Sequence, residues 1–308
     1  MKNAIAIDIG GTNIKYALVD ESGEILFESL CPTTGTDGAV EQLKKAVKEM
    51  LDYAAGNNLE ISGIGIGVPS VVDDGVVLFA NNLKEIDNKN LKEIIGECFN
   101  IPVFVDNDAN LMGLGESRFG NAKDASDVVF MTIGTGIGGT LIINGQLWGG
   151  YRNRGTELGH SIIRFDGKEC SCGASGCLEA YASVTALIGD YKEKLSENNI
   201  HIAPDTVIDG KYIVSQYLKE ETFAVEVMNN HFKYMATGLV GIINFFAPQK
   251  VILGGGITES GNFYIENITR LTMQQAMKEA SEFVSIEAAS LGNKAGFLGA
   301  AALVFDNK

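Results

Sequence analysis

The chain has few cations for its size. Against 39 Asp and Glu there are only 24 Lys and Arg, a formal net charge of −15. A nucleic-acid backbone demands a basic face, and an anionic membrane surface attracts one, so both partners are disfavoured. Apolar runs approaching the ~20 residues of a membrane span are also missing. The first residues, MKNAIAIDIG, enter apolar alternation at once, without a charged segment, an apolar signal core and a cleavage site. These absences give the expectation of a cytoplasmic protein, in which Cys31 and Cys98 are inert thiols. No linker of low complexity interrupts the 308 residues, although the length favours two domains over one.

What is present alternates strand and helix patterns, the mark of an α/β protein. Residues 4–20 read as two apolar runs around a Gly-Gly turn, a hairpin signal, and residues 128–144 repeat that design. The expectation is a duplication at domain scale, each half opening on a strand, a glycine turn and a second strand. Helical spacing marks residues 39–55, 91–99, 109–118, 181–195, 223–246 and 295–305, whereas residues 61–68, 102–106 and 250–253 read as strands. His201 and His231 fall outside every motif and read as surface or helix-face residues. Packing and a subunit contact are both open for Trp148.

Three of the five cysteines are concentrated in one stretch. Cys170, Cys172 and Cys177 have C-x-C-x4-C spacing, with His160 upstream, which supplies the Cys3His set of tetrahedral zinc. Thiolate and imidazole select zinc over harder ions. Gly173 and Gly176 supply the positive φ that wrapping a backbone around one ion requires. The competing reading, a redox pair or disulfide, is disfavoured in an intracellular chain. Glu157 and Glu179 flank these ligands, and alone they read equally well as solvated carboxylates.

Neither common nucleotide fingerprint fits. There is no G-x-x-x-x-G-K-[ST], and Gly134 to Gly139, although it matches G-x-G-x-x-G, leads into a strand pattern rather than a helix. The turn from Asp8 through Gly10, Gly11 and Thr12 offers unobstructed backbone N–H groups and a hydroxyl, a phosphate cradle. Asp8 is suited to hold Mg²⁺, which favours a carboxylate or two beside phosphate oxygens. Taken with Gly134 to Gly139 and a third glycine run at Gly254 to Gly256, the pattern suggests a nucleotide clamped in a cleft between two lobes. Lys15 reads as a solvated strand residue or a phosphate neighbour.

Asp106, Asn107 and Asp108 close a predicted strand, where alternation would set both carboxylates on one face. A carboxylate there suits a general base for a hydroxyl nucleophile in phosphoryl transfer. Equally, Asp108 would serve as the N-cap of the helix that follows. The residues alone do not choose between Asp106 and Asp108 as base.

DIGGTN, NDAN, IGTGIGG, ELGH and CSCGASGCLEAYAS, in this order, closely resemble the ROK family (repressor, open reading frame, kinase) of sugar kinases. The resemblance runs almost end to end. It implies the actin-like ATPase fold of the hexokinase superfamily, with residues 1–118 and a returning C-terminal helix at 295–308 in one lobe and residues 119–294, including the zinc site, in the other. It also implies ATP-dependent phosphorylation of a hexose, foremost glucose to glucose 6-phosphate, with Asp108 as general base. Asn82, Asn107, Asp108, Glu157, His160 and Glu179 match the sugar-binding positions. Asp8, Gly10, Gly11, Thr12, Thr135, Gly136 and Gly255 match contacts to ATP and Mg²⁺. His160, Cys170, Cys172 and Cys177 match the structural zinc site, which would orient the His160 ring toward sugar. A homodimer follows from family habit.

The sequence departs from common family patterns around the sugar. Ser70 stands where glycine is frequent, Asn81 where proline is frequent and Thr156 where glucokinases usually have glycine, while Tyr151, Arg152, Asn153 and Arg154 are bulky. Kinases of N-acetylmannosamine, N-acetylglucosamine, allose, fructose or a β-glucoside are therefore alternatives. The family also includes sugar-sensing repressors with an N-terminal helix-turn-helix, and with the first strand beginning by Ala4 the expectation is a kinase without that module.

Overall fold

The computed structural model describes residues 2–33, 38–80, 83–203 and 205–307. In chain order the first elements are β1 (Asn3–Ile9), β2 (Asn13–Asp20), β3 (Ile25–Pro32), α1 (Ala39–Gly56), β4 (Ile61–Val68), β5 (Val71–Asp73), β6 (Val76–Leu78), α2 (Leu91–Phe99), β7 (Val103–Asn107) and α3 (Asp108–Phe119). They are followed by β8 (Val128–Ile133), β9 (Ile137–Ile143), β10 (Gln146–Trp148), α4 (Glu179–Ala182), α5 (Val184–Glu197), α6 (Gly210–Tyr217) and α7 (Thr222–Phe246). The chain closes with β11 (Lys250–Gly254), α8 (Asn262–Met273), α9 (Lys278–Ser281), β12 (Ser285–Ala288) and α10 (Ala295–Asp306).

Two five-stranded sheets carry the same order, β3-β2-β1-β4-β7 and β10-β9-β8-β11-β12. In the first, β1 to β3 are antiparallel and β4 and β7 run parallel to β1. In the second, β10 pairs antiparallel with β9, while β11 runs parallel to β8 and β12. The expected duplication is therefore present at the level of strand order. Near-continuous apolar residues explain why β1 and β2 are buried along nearly their whole length, since both faces of the sheet are covered there.

By its contacts the chain divides into one unit of residues 1–126, 140–156 and 290–308 and another of residues 127–139 and 157–289. In the first, Ile5, Ile7, Leu18, Leu43, Ile64 and Ile66 belong to one core cluster, and Ala4, Ala6, Leu111, Leu298 and Ala301 to another. Small residues let α10 lie close to β4 and α3. A Cβ on Gly65 would sit 2.0 Å from the Ala300 carbonyl oxygen, and one on Gly299 would sit 1.7 Å from that of Leu111.

Glu116, fully buried on α3, fixes the chain entering α10. Its Oε1 accepts from the backbone N–H of Ser290 and of Leu291, each at 2.7 Å, and its Oε2 accepts from Ser290 Oγ at 3.0 Å and Asn121 N–H at 3.1 Å. In the second unit α7 presents Met228, Phe232, Met235, Leu239 and Ile243 to the core. His231 is buried beside them, not on a solvated face, and shares a 2.7 Å hydrogen bond with Tyr264 Oη. His201 and Trp148 are exposed.

Two local expectations are corrected. The helix predicted over residues 181–195 is broken: Ser183 is extended, and its Oγ caps α5 by accepting from Ala186 N–H. The cap of α3 is Asn107, not Asp108. Asn107 has extended backbone, and its Oδ1 accepts from Ala109 and Asn110 N–H, while Asp108 already has helical position.

Candidate active site

Both predicted phosphate turns form, each closed by one backbone hydrogen bond of different span. In the first, Gly10 N–H closes on Asn13 O at 2.9 Å, and Thr33 buttresses the loop through its N–H to Thr12 O and its Oγ1 to Gly10 O. In the second, Gly134 N–H closes on Gly136 O at 2.9 Å, and the N–H groups of Thr135 and Gly136 have no partner among the described residues. Unpartnered N–H groups at a glycine turn are what an anion cradle is made from.

Asp8, at the end of β1, is largely buried, and burial pushes its carboxyl above the usual carboxylate range while the Lys15 charge opposes this. A Cβ on Gly296 would come within 2.7 Å of that carboxylate, so only glycine lets α10 begin there. The third glycine run also has a steric reason. Gly255 has φ +99°, and a Cβ there would lie 2.1 Å from the Ile133 carbonyl oxygen. A cavity of about 300 Å³ in the second unit is lined by Gly134, Thr135, Thr185, Lys211, Gly256 and Ile257, among others.

The strand expected to present both carboxylates stops at Asn107, so the alternation does not reach Asp108. Asp106 is buried in β7, where its Oδ1 accepts from Asn107 N–H at 2.7 Å, Asn110 Nδ2 at 2.9 Å and Asn153 Nδ2 at 2.9 Å. Burial nevertheless pushes its carboxyl up, against those hydrogen bonds. Asp108 is half-buried in the first turn of α3, and its Oδ1 accepts from Ala109 N–H at 2.8 Å. Asn107 Nδ2 donates to Ser70 O at 3.2 Å. Asp8, Asn107 and Asp108 belong to the first unit, and Thr135, Gly136, Glu157, His160, Glu179 and Gly255 to the second. Asn82 lies outside the described residues.

The Cys3His group assembles. The four donor atoms of His160, Cys170, Cys172 and Cys177 all lie within 4.8 Å of one another. Tetrahedral zinc bonds of about 2.3 Å to sulfur and about 2.0 Å to nitrogen put ligand sulfurs about 3.8 Å apart and sulfur about 3.5 Å from nitrogen. Cys172 Sγ is 3.7 Å from Cys177 Sγ, and Cys170 Sγ is 3.5 Å from His160 Nδ1. Both fit one ion, and the sulfur pair is far beyond the ~2.05 Å of a disulfide. Burial pushes the Cys177 thiol up to about 12, and a divalent cation would supply the charge that a buried thiolate lacks.

Glu179 was not separable from a solvated carboxylate by sequence alone. In the structure its Oε2 accepts from Ile137 N–H at 2.9 Å and its Oε1 from Ser171 Oγ at 3.0 Å, so it spans the second glycine turn and the cysteine loop. Glu157 is exposed.

The repeated strand order, each half opening on a glycine turn, is that of the actin-like ATPase fold. The comparisons agree. Residues 4–307 match the ROK family, and the chain belongs to it. It is 32% identical over 308 residues to a glucokinase of Thermotoga maritima, covering 97% of this chain and 96% of that protein. It is also 31% identical over 322 residues to a xylose repressor of Caldicellulosiruptor bescii, covering 98% of this chain and 78% of the repressor. Among solved structures, a ROK family glucokinase from Streptomyces griseus in complex with glucose and AMPPNP superposes with a TM-score of 0.80 at 32% identity, covering 99% of this chain and 100% of that one.

Proposed function

We propose that the chain transfers the γ-phosphoryl group of ATP to a hexose, with glucose, giving glucose 6-phosphate, as the leading substrate. The observation that carries this reading is the pair of backbone-closed glycine turns, each opening the same strand order, in a fold shared with a glucokinase solved in complex with glucose and AMPPNP. Phosphoryl transfer is managed by positioning and charge neutralisation, which is what these elements supply.

In this reading Asp108 takes the proton of the attacking 6-hydroxyl as the O6–phosphorus bond forms and the bond from phosphorus to the ADP oxygen breaks. Asn107, with its amide tied to Ser70, binds a sugar hydroxyl, as do Asn82, Glu157, His160 and Glu179. Gly10, Gly11, Thr12, Thr135, Gly136 and Gly255 line the nucleotide. Asp8 would hold Mg²⁺, whose charge offsets that of the phosphates. His160, Cys170, Cys172 and Cys177 would hold zinc, which orders the segment from Glu157 to Glu179 and takes no part in the chemistry. The chain acts on small molecules rather than nucleic acid, as a cytoplasmic homodimer. Among the described residues no helix is long and apolar enough to cross a membrane.

The repressor relative makes sugar sensing without catalysis a second reading. The −15 charge and the presence of Asp108 favour the kinase. A coupled assay of ADP release across a hexose panel, with N-acetylated hexosamines included, separates them. Turnover with glucose or another hexose is expected; tight sugar binding without turnover on any sugar would favour the sensor.

A further inference from the structure

We propose that Asn153 is a positioning residue for the Asn107-Asp108 turn, acting through Asp106 and governing sugar affinity. This rests on the reading of that turn as the sugar and base site.

Asn107 is the last residue of β7, and two strands decide where its side chain lies. Its Oδ1 caps α3, and its Nδ2 donates at 3.2 Å to the carbonyl of Ser70, the residue before β5. β5 pairs with β6 in a separate two-stranded sheet, and among the described residues no ladder joins it to β7. The spacing of the two strands is therefore left to side chains. Asn153 spans it: its Nδ2 donates to Asp106 Oδ1 of β7 at 2.9 Å and to Val72 O of β5 at 3.2 Å. A side-chain amide nitrogen carries two hydrogens, so both are engaged in this bridge. Asp106 Oδ1 also accepts from Asn107 N–H at 2.7 Å and from Asn110 Nδ2 at 2.9 Å, which passes the tie directly into the turn.

The loop is built to offer that amide. Gly155 N–H closes it on Gly149 O at 2.7 Å, and a Cβ on Gly149 would come within 1.8 Å of Asn153 Oδ1. Arg152 and Asn153 are both left-handed, with φ 55° and 56°. Such a conformation persists in residues other than glycine only where the surroundings impose it, and it is concentrated at functional sites. Arg152 adds a second tie to β5, a 2.6 Å ion pair with Asp73. Its side chain is exposed whereas Asp106 is buried, so the Asn153 bond is the stronger tether.

The test compares Asn153→Gly with Asn153→Ala in the full-length protein, by calorimetric titration with glucose and with Mg²⁺-AMPPNP and by hydrogen exchange at the Asn107 amide. Glycine loses the bridge but accepts a left-handed backbone, whereas alanine loses both. The two should weaken glucose alike, by about tenfold, the effect of losing a hydrogen bond to a charged group. Both should leave AMPPNP within about twofold and speed exchange at Asn107. Arg152→Ala, which removes only the exposed ion pair, should leave glucose within about twofold. Parental glucose affinity in Asn153→Gly, equal losses of glucose and AMPPNP affinity, or a tenfold loss of glucose affinity in Arg152→Ala overturns the inference while the kinase reading stands. A parent protein that binds neither glucose nor another hexose of the panel overturns both.

Discussion

Asn153 donates a 2.9 Å hydrogen bond to the buried Asp106 carboxylate across 47 positions of sequence, and the same amide lies 3.2 Å from the Val72 carbonyl. Its backbone is left-handed, with φ 56°, as is that of Arg152, φ 55°. The loop beside the Asn107-Asp108 turn is thus held by side chains in a conformation that its backbone disfavours.

Asn153→Ala should therefore lose on two counts, the donor to Asp106 and the tolerance of a left-handed φ. The expected destabilisation is about 2–3 kcal/mol, and Asn153→Gly, which relieves the backbone, should recover about 1 kcal/mol of it. Urea unfolding of the two variants checks this; equal stability would show that the backbone strain is immaterial.

Glu116 should be among the least replaceable residues away from the site. Glu116→Ala removes a fully buried carboxylate that accepts from the N–H groups of Ser290, Leu291 and Asn121, and both those bonds and its packing are lost, at a cost of about 3 kcal/mol. Denaturant midpoints measure it, and a loss under about 1 kcal/mol would contradict the role assigned.

His231 predicts an acid limb of stability. Burial lowers its folded value to about 4 from an ordinary 6.5, so the unfolded chain binds the proton more readily. Its contribution is complete above pH 6.5 and fades as pH falls through 6.5 toward 4, in all on the order of 3 kcal/mol. Unfolding free energies at pH 7.5 and 4.5 should differ less in His231→Phe than in the parent. An identical difference in both would remove His231 as the cause.

Elemental analysis should find about one zinc per chain, and Cys177→Ser should lose it. A metal-free protein with full activity and sugar affinity would refute the structural role.

Much of the fold was legible because its signals are local. Apolar runs mark β1 and β2, helical spacing marks α7, and the Cys3His spacing marks four donor atoms that come within 4.8 Å of one another. The misses are those in which neighbours compete or partners are distant. Asn107 and Asp108 are both good caps, and backbone geometry chose Asn107. Ser183 lies in an apolar pattern suited to helix, yet its hydroxyl caps α5 instead. Nothing local marks Glu116 or the Asp106–Asn153 pair, whose partners lie 174 and 47 residues away.

The central claim, that Asp108 is the base of a hexose kinase, is tested most directly by Asp108→Asn, which keeps the side chain's size and an oxygen for Ala109 N–H. Single-turnover ADP formation and glucose binding should be measured on one preparation. The account predicts phosphoryl transfer slowed by about 10³-fold or more with glucose affinity within about threefold of the parent. Near-parental turnover in Asp108→Asn would contradict it.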